Sequence, residues 1–264
     1  DPGDKQIILS DYTQAHHLRD VLRIKPLELV AVFDNQGNEY IASVIEIGAD
    51  AIKLEVKERK PLKDSGIKIT LACAIPKKVK MDDIVDKLTQ LGVDRIIPLL
   101  TERVIVKIDA KNAQTKLSRW RKIAQSASEQ SQRSNLVIIE PVKSFDEVIA
   151  LSSGFDLKLI PCLFGHRKSL RDILSSPFVL CHPRASGDLK KMDSRFHGND
   201  VMKEHEAVLK SIIVLIGPEG DFTQAEVAKA LDAGFLSITL GDRVLRVDTA
   251  AIAVASFIKL NEPR

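Results

Sequence analysis

The sequence predicts an α/β protein in which a small amino-terminal β-barrel precedes a larger domain with a mostly parallel sheet. Before residue 66, short apolar runs are separated by turn residues, which is the pattern of half-buried antiparallel strands. After Gly66, apolar strand segments alternate with helical segments, as in a sheet that is covered by helices. The chain has 264 residues, of which 44% are hydrophobic. This length accommodates two domains, which we place at 1–65 and 66–264.

The amino-terminal domain is predicted from three apolar runs at 29–33, 40–47 and 51–56. Runs of this length between turn residues are typical of the strands of a small β-barrel. Residues 35–38 separate the first two runs and contain Asn and Gly, which tolerate the positive φ of a tight hairpin turn. The charged, proline-containing stretch 57–65 is interpreted as a linker between the domains.

The larger domain is predicted from the alternation of apolar segments with segments of helical periodicity. The predicted strands are 67–75, 95–100, 136–139, 157–163, 212–216 and 237–240. The predicted helices are 79–91, 113–130, 144–151, 169–174, 224–233 and 249–260. Residues 176–206 interrupt this alternation and show little periodicity, so we interpret them as a surface insertion.

The amino-acid composition narrows the range of functions that this sequence can have. The formal net charge is +3, which permits RNA binding without establishing it. No apolar run is long enough to span a bilayer, so no membrane partner is expected.

The three cysteines, Cys73, Cys162 and Cys181, form no CxxC pair and fit a reducing, cytoplasmic environment. His182, His197 and His205 lie in the insertion at spacings that match no ligand pattern, so no metal site is expected.

The strongest local motif is the apolar segment 213–216 followed by Gly217-Pro218-Glu219-Gly220. The two glycines allow a sharp turn and bring a ligand close to main-chain N–H and C=O groups. Thr223 can then cap the next helix. A ligand loop at the carboxyl end of a strand and an ordinary strand-to-helix turn fit this peptide about equally. The motif has neither the Gly-Lys-Ser/Thr ending of a P-loop nor the GxGxxG spacing of dinucleotide folds.

A second motif, at 238–251, again combines a strand, a glycine-containing loop and the start of a helix. Arg243 and Arg246 lie three residues apart in a short loop that otherwise favours apolar residues. A charge-related function is therefore expected for at least one of them, with Arg246 preferred. The alternative is that both are solvated loop arginines.

Together, these two motifs resemble the SPOUT class of trefoil-knotted methyltransferases and, within it, the bacterial RsmE family of 16S ribosomal RNA uridine N3-methyltransferases. Residues 16–24 and 33–37 are similar to the PUA-like barrel of that family. Residues 119–124 and 129–133 are similar to its central helix and the loop that follows.

The chain also departs from the family pattern. It has Asp221 where the family usually has the second glycine of a pair, Gln132 where it has glycine before the central arginine, and Asp248 where it has glutamate. Residues 1–10 do not resemble the strand that normally begins the barrel.

The resemblance implies a carboxyl-terminal SPOUT-type trefoil-knotted α/β methyltransferase domain and a small amino-terminal PUA-like β-barrel that binds RNA. It also implies a homodimer and S-adenosylmethionine as the cofactor, held by the two motifs and a third loop. The implied cofactor-binding residues are Leu215, Gly217, Pro218, Glu219, Gly220, Leu240, Gly241, Val244, Leu245, Arg246 and Thr249.

The chemistry at uracil N3 suggests which residues could act in catalysis. N3 carries a proton and is a poor nucleophile until the proton leaves, so the site should stabilise a developing anion. Arg133 or Arg246 could supply this stabilisation. Glu219 or Asp248 could accept the proton, although an acid in a short turn is more often a structural hydrogen-bond acceptor. The expected catalytic residues are Arg133, Arg246 and Glu219.

The clearest basic stretch lies between Glu102 and Arg133, with eight basic residues against three acidic ones. It includes Trp120. Contact with RNA phosphates and a solvated helix face with Trp120 in the core are equally compatible with this pattern. The expected RNA-binding residues are Arg19, Arg23, Arg119, Arg121, Lys122 and Arg133.

The function expected from the resemblance is methylation of N3 of uridine 1498 in 16S ribosomal RNA. The substrate would be the RNA itself or the assembled small ribosomal subunit, and no DNA partner is expected. Two alternatives remain open at this point. One is a related SPOUT enzyme that methylates ribose 2′-oxygens, and the other is a non-catalytic RNA-binding factor in ribosome assembly.

Overall fold

Two compact units are formed by the part of the chain that the computed structural model describes. The described residues are 6–34, 38–60, 66–76, 80–104, 110–133, 135–175 and 209–262. The first unit takes its residues from Asp1–Ser65 and Gln132–Leu136, and the second from Gly66–Ser131 and Val137–Arg264. The predicted insertion at 176–206, with Cys181, His182, His197 and His205, lies outside the described residues, as does most of the predicted hairpin turn at 35–38.

The first unit contains a four-stranded antiparallel sheet in the order β1-β4-β3-β2. Its elements are β1 (Gln6–Leu9), α1 (Tyr12–His16), a π-helical turn (His17–Val21), β2 (Leu29–Phe33), β3 (Glu39–Ile47) and β4 (Ile52–Lys60). Ala42, Val44, Ile52 and Leu54 form the buried centre of this sheet together with Ala15 of α1.

Residues 1–10 do contain an initial strand, β1 (Gln6–Leu9), although their sequence does not resemble the strand that normally begins the barrel. Strand β1 pairs with β4, and Gln6 lies opposite Glu55 in the register. Ile7 and Leu9 pack against the core of the sheet, while the side chain of Ile8 remains 61% exposed. The alternation of inward and outward residues that marks a half-buried strand is therefore present, although it covers too few residues to be recognised alone.

The second unit contains a parallel sheet in the order β10-β12-β9-β11-β5-β6-β7, with β8 also paired to β6. Every pairing in it is parallel, as the alternation of strands and helices predicts. Its strands are β5 (Lys68–Ala74), β6 (Arg95–Leu100), β7 (Ile138–Ile139), β8 (Lys143–Ser144), β9 (Leu157–Pro161), β10 (Lys168–Ser169), β11 (Ser211–Ile216) and β12 (Leu236–Thr239). Its helices are α2 (Lys80–Gln90), α3 (Ala110–Gln130), α4 (Phe145–Leu151), α5 (Leu170–Leu174), α6 (Gln224–Asp232) and α7 (Val247–Leu260), with a 3₁₀ turn at Ser152–Gly154.

Two apolar layers cover the faces of this sheet. Ile212, Val214 and Ile216 of β11 belong to one buried cluster. Ile213 and Leu215 belong to the other. Side chains that alternate between two buried layers are expected for a central parallel strand, and they explain why β11 is apolar at nearly every position.

Trp120 belongs to the core and not to an exposed basic surface. Its side chain is 3% exposed, and its indole N–H donates to Asp82 Oδ1 at 3.1 Å. Leu117 and Ala124 lie in the same buried cluster, one turn away on either side, as the periodicity of α3 requires. The alternative in which Trp120 lies in the core is therefore correct in its placement of Trp120.

No helix in the described ranges is long and apolar enough to cross a membrane. Within the same ranges, no group of His, Cys, Asp and Glu side chains is arranged to hold a metal ion.

Candidate functional site

A pocket opens at the carboxyl end of the parallel sheet, where the loops after β9, β11 and β12 meet the first turns of α7. It has about 600 Å³ of empty space, including space that is open to solvent. Ligands of open parallel sheets bind at this edge. The lining residues are Pro161, Cys162, Leu163, Arg167, Ile216, Gly217, Pro218, Glu219, Asp221, Ile238, Thr239, Leu240, Gly241, Arg243, Val244, Leu245, Val247 and Ala250.

The loop after β11 turns sharply within five residues. The N–H of Asp221 donates to the carbonyl of Pro218 at 2.9 Å, which closes the turn. Thr223 then caps α6: its side chain accepts the N–H of Glu226, and the Glu226 carboxylate accepts the N–H of Thr223 in return. The helix start that the sequence predicts at Thr223 is therefore confirmed, and this capping box fixes the direction in which the loop leaves the pocket.

Gly217 is required by close packing at the start of this loop. A Cβ atom added there would lie 3.0 Å from the ring of Phe222. That ring is fully buried and packs against the ring of Phe145, with 5.7 Å between the ring centroids. Because the ring is buried in a packed cluster, an added methyl group would have to displace it against its neighbours.

Side chains fasten the loop after β11 to its neighbours. On one side, Arg103 Nη1 donates to the carbonyl of Gly220 at 2.6 Å, and Glu226 Oε1 accepts the N–H of Glu102 at 2.9 Å. On the other side, Asp221 Oδ2 accepts the N–H of Leu163 at 2.9 Å. The loop after β11 is therefore joined to the loop after β6 and to the loop after β9.

The loop after β12 supplies a second wall of the pocket. Gly241 adopts a φ of 111°, which a residue with a side chain rarely adopts. A Cβ atom at Gly241 would meet no atom within 4 Å, so this position faces open space. Leu240 and Leu245 give the wall an apolar surface, and Arg243 adds a positive charge at the lining.

Seven of the predicted cofactor-binding residues line this pocket: Gly217, Pro218, Glu219, Leu240, Gly241, Val244 and Leu245. The other four lie nearby without lining it. The side chain of Leu215 is buried in the core layer, and the carbonyl of Gly220 is held by Arg103. Arg246 is the N-cap residue of α7, and Thr249 lies in its first turn. The assignment of the cofactor-binding residues stays a prediction.

The sequence did not indicate the loop after β9. Cys162, Leu163 and Arg167 of this loop line the pocket, but they resemble no motif. The signal that could have located them is topological, because β9 lies between β11 and β12 in the sheet. A loop at the end of an intervening parallel strand must lie between the two neighbouring loops.

The three predicted catalytic residues occupy different positions. Glu219 lines the pocket, whereas Arg246 begins α7 and is exposed. Arg133 follows α3 and belongs to the segment Gln132–Leu136 of the first unit. Asp248, the second possible proton acceptor, lies 4.0 Å from Lys80 through Oδ2. Its Oδ1 is buried and has no hydrogen-bond partner in the described part of the chain.

The thiol of Cys162 is unsuited to nucleophilic attack. Burial raises the pKa of this thiol above its ordinary value, and Cys162 Sγ donates to the carbonyl of Phe164 at 3.4 Å. Burial also raises the pKa of the Cys73 thiol to about 12. Thiols with raised pKa values are poor nucleophiles at neutral pH.

The two predicted RNA-binding arginines of the first unit differ in their surroundings. Arg19 Nη1 donates to the carbonyl of Ala49 at 2.6 Å, and Arg19 Nη2 lies 2.8 Å from Asp20 Oδ2. These contacts hold the Arg19 side chain against the protein. Arg23 is exposed and has a φ of 51°.

The predicted RNA-binding residues on α3 also differ. Arg119 pairs with Asp82, and Arg121 Nη2 donates to the carbonyl of Ile139 at 3.3 Å. Lys122 is exposed. Asp82 therefore already compensates the charge of Arg119. The assignment of the RNA-binding residues stays a prediction.

Comparisons with known proteins relate this chain to a family. A family model described as an RNA methyltransferase domain matches residues 63–180 and 168–259. A second model, described as an RNA methyltransferase PUA domain, matches residues 9–57. The first model alone matches well over half of the chain.

Individual relatives agree with these matches. Ribosomal RNA small subunit methyltransferase E of Bacillus subtilis is 27% identical over 249 residues, covering 93% of this chain and 86% of that protein. The protein of the same name from Rickettsia conorii is 28% identical, with coverages of 97% and 91%. The crystal structure of ribosomal RNA small subunit methyltransferase E from Neisseria gonorrhoeae, bound to S-adenosyl methionine, superposes with a TM-score of 0.75 at 27% identity. It covers 97% of this chain and 91% of that one.

The packing at Gly217 leads to a stability prediction. Gly217→Ala is expected to lower the free energy of unfolding by about 1–3 kcal/mol, because the added methyl group overpacks the buried Phe222 ring. Thermal unfolding monitored by circular dichroism would measure the change. Gly220→Ala is the matched control from the same loop: its Cβ would lie 3.5 Å from Arg103, which is an ordinary contact. If both variants melt at the same temperature, the packing argument is wrong.

Proposed function

The chain belongs to the RNA methyltransferase family, in a branch with ribosomal RNA small subunit methyltransferase E, and we propose that it methylates N3 of a uridine in 16S ribosomal RNA. The coarser activity, S-adenosylmethionine-dependent methylation of ribosomal RNA, follows from this membership. The finer assignment, to uridine 1498 of the small subunit RNA, is our proposal.

The observation that carries the proposal is the pocket formed by the loops after β9, β11 and β12. Its apolar residues, among them Leu240, Leu245 and Ile238, suit the faces of an adenine ring. Its loop backbone offers N–H and C=O groups for the edge of the ring. The residues present therefore fit S-adenosylmethionine, which supplies a methyl group bound to a positively charged sulfur.

The three candidate catalytic residues have distinct proposed roles in the reaction. Uracil N3 becomes nucleophilic when it loses its proton, and negative charge then develops on the base. Arg246 and Arg133 are proposed to stabilise that charge, and Glu219 is proposed to accept the proton. Glu219 is the best placed for contact with bound ligands, because it lines the pocket.

The remaining assignments rest on the family resemblance. We propose a deep trefoil knot in the carboxyl-terminal part of the second unit. We further propose that 1–65 is an RNA-binding domain, that 66–264 is the methyltransferase domain, and that the protein acts as a homodimer in the cytoplasm. Light scattering of the purified protein would give its mass in solution and thereby test the dimer.

A direct assay tests the function. Purified protein, S-adenosylmethionine and small ribosomal subunits that lack the modification are incubated, and the RNA nucleosides are then analysed by mass spectrometry. N3-methyluridine at the proposed position is expected. A 2′-O-methylated nucleoside would instead identify the related SPOUT activity. Tight RNA binding without any transfer would identify a non-catalytic assembly factor.

The proposed role of Arg246 predicts a separation of catalysis from binding. Arg246→Ala is expected to lower kcat by about 10²–10³, the usual loss when a donor to a developing anion is removed. The dissociation constant of S-adenosylmethionine, measured by calorimetry, should change by less than about threefold, because Arg246 does not line the pocket. Arg243→Ala is the comparison, because Arg243 lines the pocket. This variant, unlike Arg246→Ala, should weaken the binding of S-adenosylmethionine. An equal loss of affinity in both variants would assign Arg246 to binding.

The exposed position of Lys122 leads to a prediction about RNA binding. Lys122→Ala should weaken RNA affinity and reduce the slope of log K against log salt by roughly 0.7–0.9, the value for one phosphate contact. Lys229→Ala is the matched control, because Lys229 Nζ already lies 2.6 Å from Asp146. Fluorescence anisotropy over a series of salt concentrations measures both slopes. An unchanged slope in Lys122→Ala would remove this residue from the interface.

A further inference from the structure

We propose that Asp221 is a positioning residue that holds the loop after β9 against the loop after β11 and so sets the width of the cofactor pocket. The proposal rests on the function proposed above, because it concerns the same pocket. The carboxylate acts through a single backbone contact, in which Asp221 Oδ2 accepts the N–H of Leu163 at 2.9 Å.

The backbone of Asp221 is the first reason to regard the contact as functional. Asp221 has a φ of 60°, in the left-handed region that glycine adopts more easily than any residue with a side chain. Asp is one of the better tolerated residues there, but glycine would relieve the conformation entirely. A strained conformation at a site is an observation from which a function can be inferred.

The position of the contact is the second reason. Asp221 and Leu163 both line the pocket, and they lie 58 residues apart in the sequence. The opposite side of the same loop is already fastened by Arg103 at Gly220. The carboxylate therefore adds a second attachment of this loop, between two residues that line the pocket.

The loop after β9 has few other packing contacts, so the hydrogen bond to Asp221 can determine its position. Leu163 is 47% exposed and Phe164 is 39% exposed, so little apolar burial holds them. Arg167 Nη1 donates to the carbonyl of Cys162 at 3.2 Å, which closes the loop on itself. The hydrogen bond between Leu163 and Asp221 joins this loop to the loop after β11, which forms another wall of the pocket.

Three variants separate a positioning role from a merely structural one. Asp221→Gly removes the acceptor and relieves the left-handed backbone, so its melting temperature should equal or exceed that of the unmodified protein. Its dissociation constant for S-adenosylmethionine should nevertheless rise roughly tenfold, because binding must then order the loop after β9, which the hydrogen bond holds in place before the ligand binds. Asp221→Asn keeps an acceptor oxygen and a residue type that tolerates positive φ, and it should retain affinity to within about threefold.

Asp156→Ala is the control at the opposite end of the sheet. Asp156 Oδ2 accepts the N–H of Ser211 at 2.9 Å and the N–H of Lys210 at 3.0 Å. It therefore joins the start of β11 to the residue before β9, far from the pocket. Asp156→Ala should lower the melting temperature and leave the affinity of the folded protein for S-adenosylmethionine unchanged.

Hydrogen exchange of the Leu163 amide, measured by NMR without any ligand, makes the test independent of the proposed function. The amide should exchange faster in Asp221→Gly than in the unmodified protein or in Asp221→Asn. Equal exchange rates in all three would overturn the proposal, and so would unchanged cofactor affinity in Asp221→Gly. If the unmodified protein fails to bind S-adenosylmethionine while the exchange rates differ, the proposed function is wrong and the joining of the two loops by Asp221 stands.

Discussion

The burial of β11 on both faces determines where polar groups can contact a ligand. Its side chains alternate between two apolar layers, and each fully buried aliphatic side chain contributes about 1.5–3 kcal/mol. A strand in this position has polar groups available for a ligand only where it ends. Because β9, β11 and β12 run parallel, their ends coincide at one edge, and three loops that are distant in sequence form one pocket. The site is therefore a consequence of the packing of the sheet.

The sequence predicted those parts of the fold in which local patterns and packing agree. The apolar pattern predicts the strand 95–100 at its observed bounds, and the residue type of Thr223 alone predicts the cap of α6. Strand β1 is not predictable from its sequence because four residues carry too little alternation. The loop after β9 is not predictable either, because its place between the loops after β11 and β12 depends on strand order, which no local pattern contains.

Two departures from the family pattern have a common physical basis. Gln132 and Asp221 stand where the resemblance leads one to expect glycine, and both adopt positive φ, at 53° and 60°. The backbone conformation that favours glycine is thus present without glycine. At Asp221 the side chain makes a compensating contact with Leu163. Gln132 is exposed, and nothing in the structure explains why it replaces glycine.

The contacts that fix the pocket join residues that are far apart in the sequence. Arg103 reaches Gly220 across 117 residues, and Glu226 reaches Glu102 across 124. Methyl transfer requires in-line placement of the acceptor, and a misplacement of about 1 Å can lower the rate by 10²-fold. A reaction with this requirement depends on the residues that fix the loops as well as on those that touch the ligand. Searching the sequence for acids, bases and nucleophiles identifies the second group and misses the first, because charged residues in surface loops show their function only through the partners that the fold gives them.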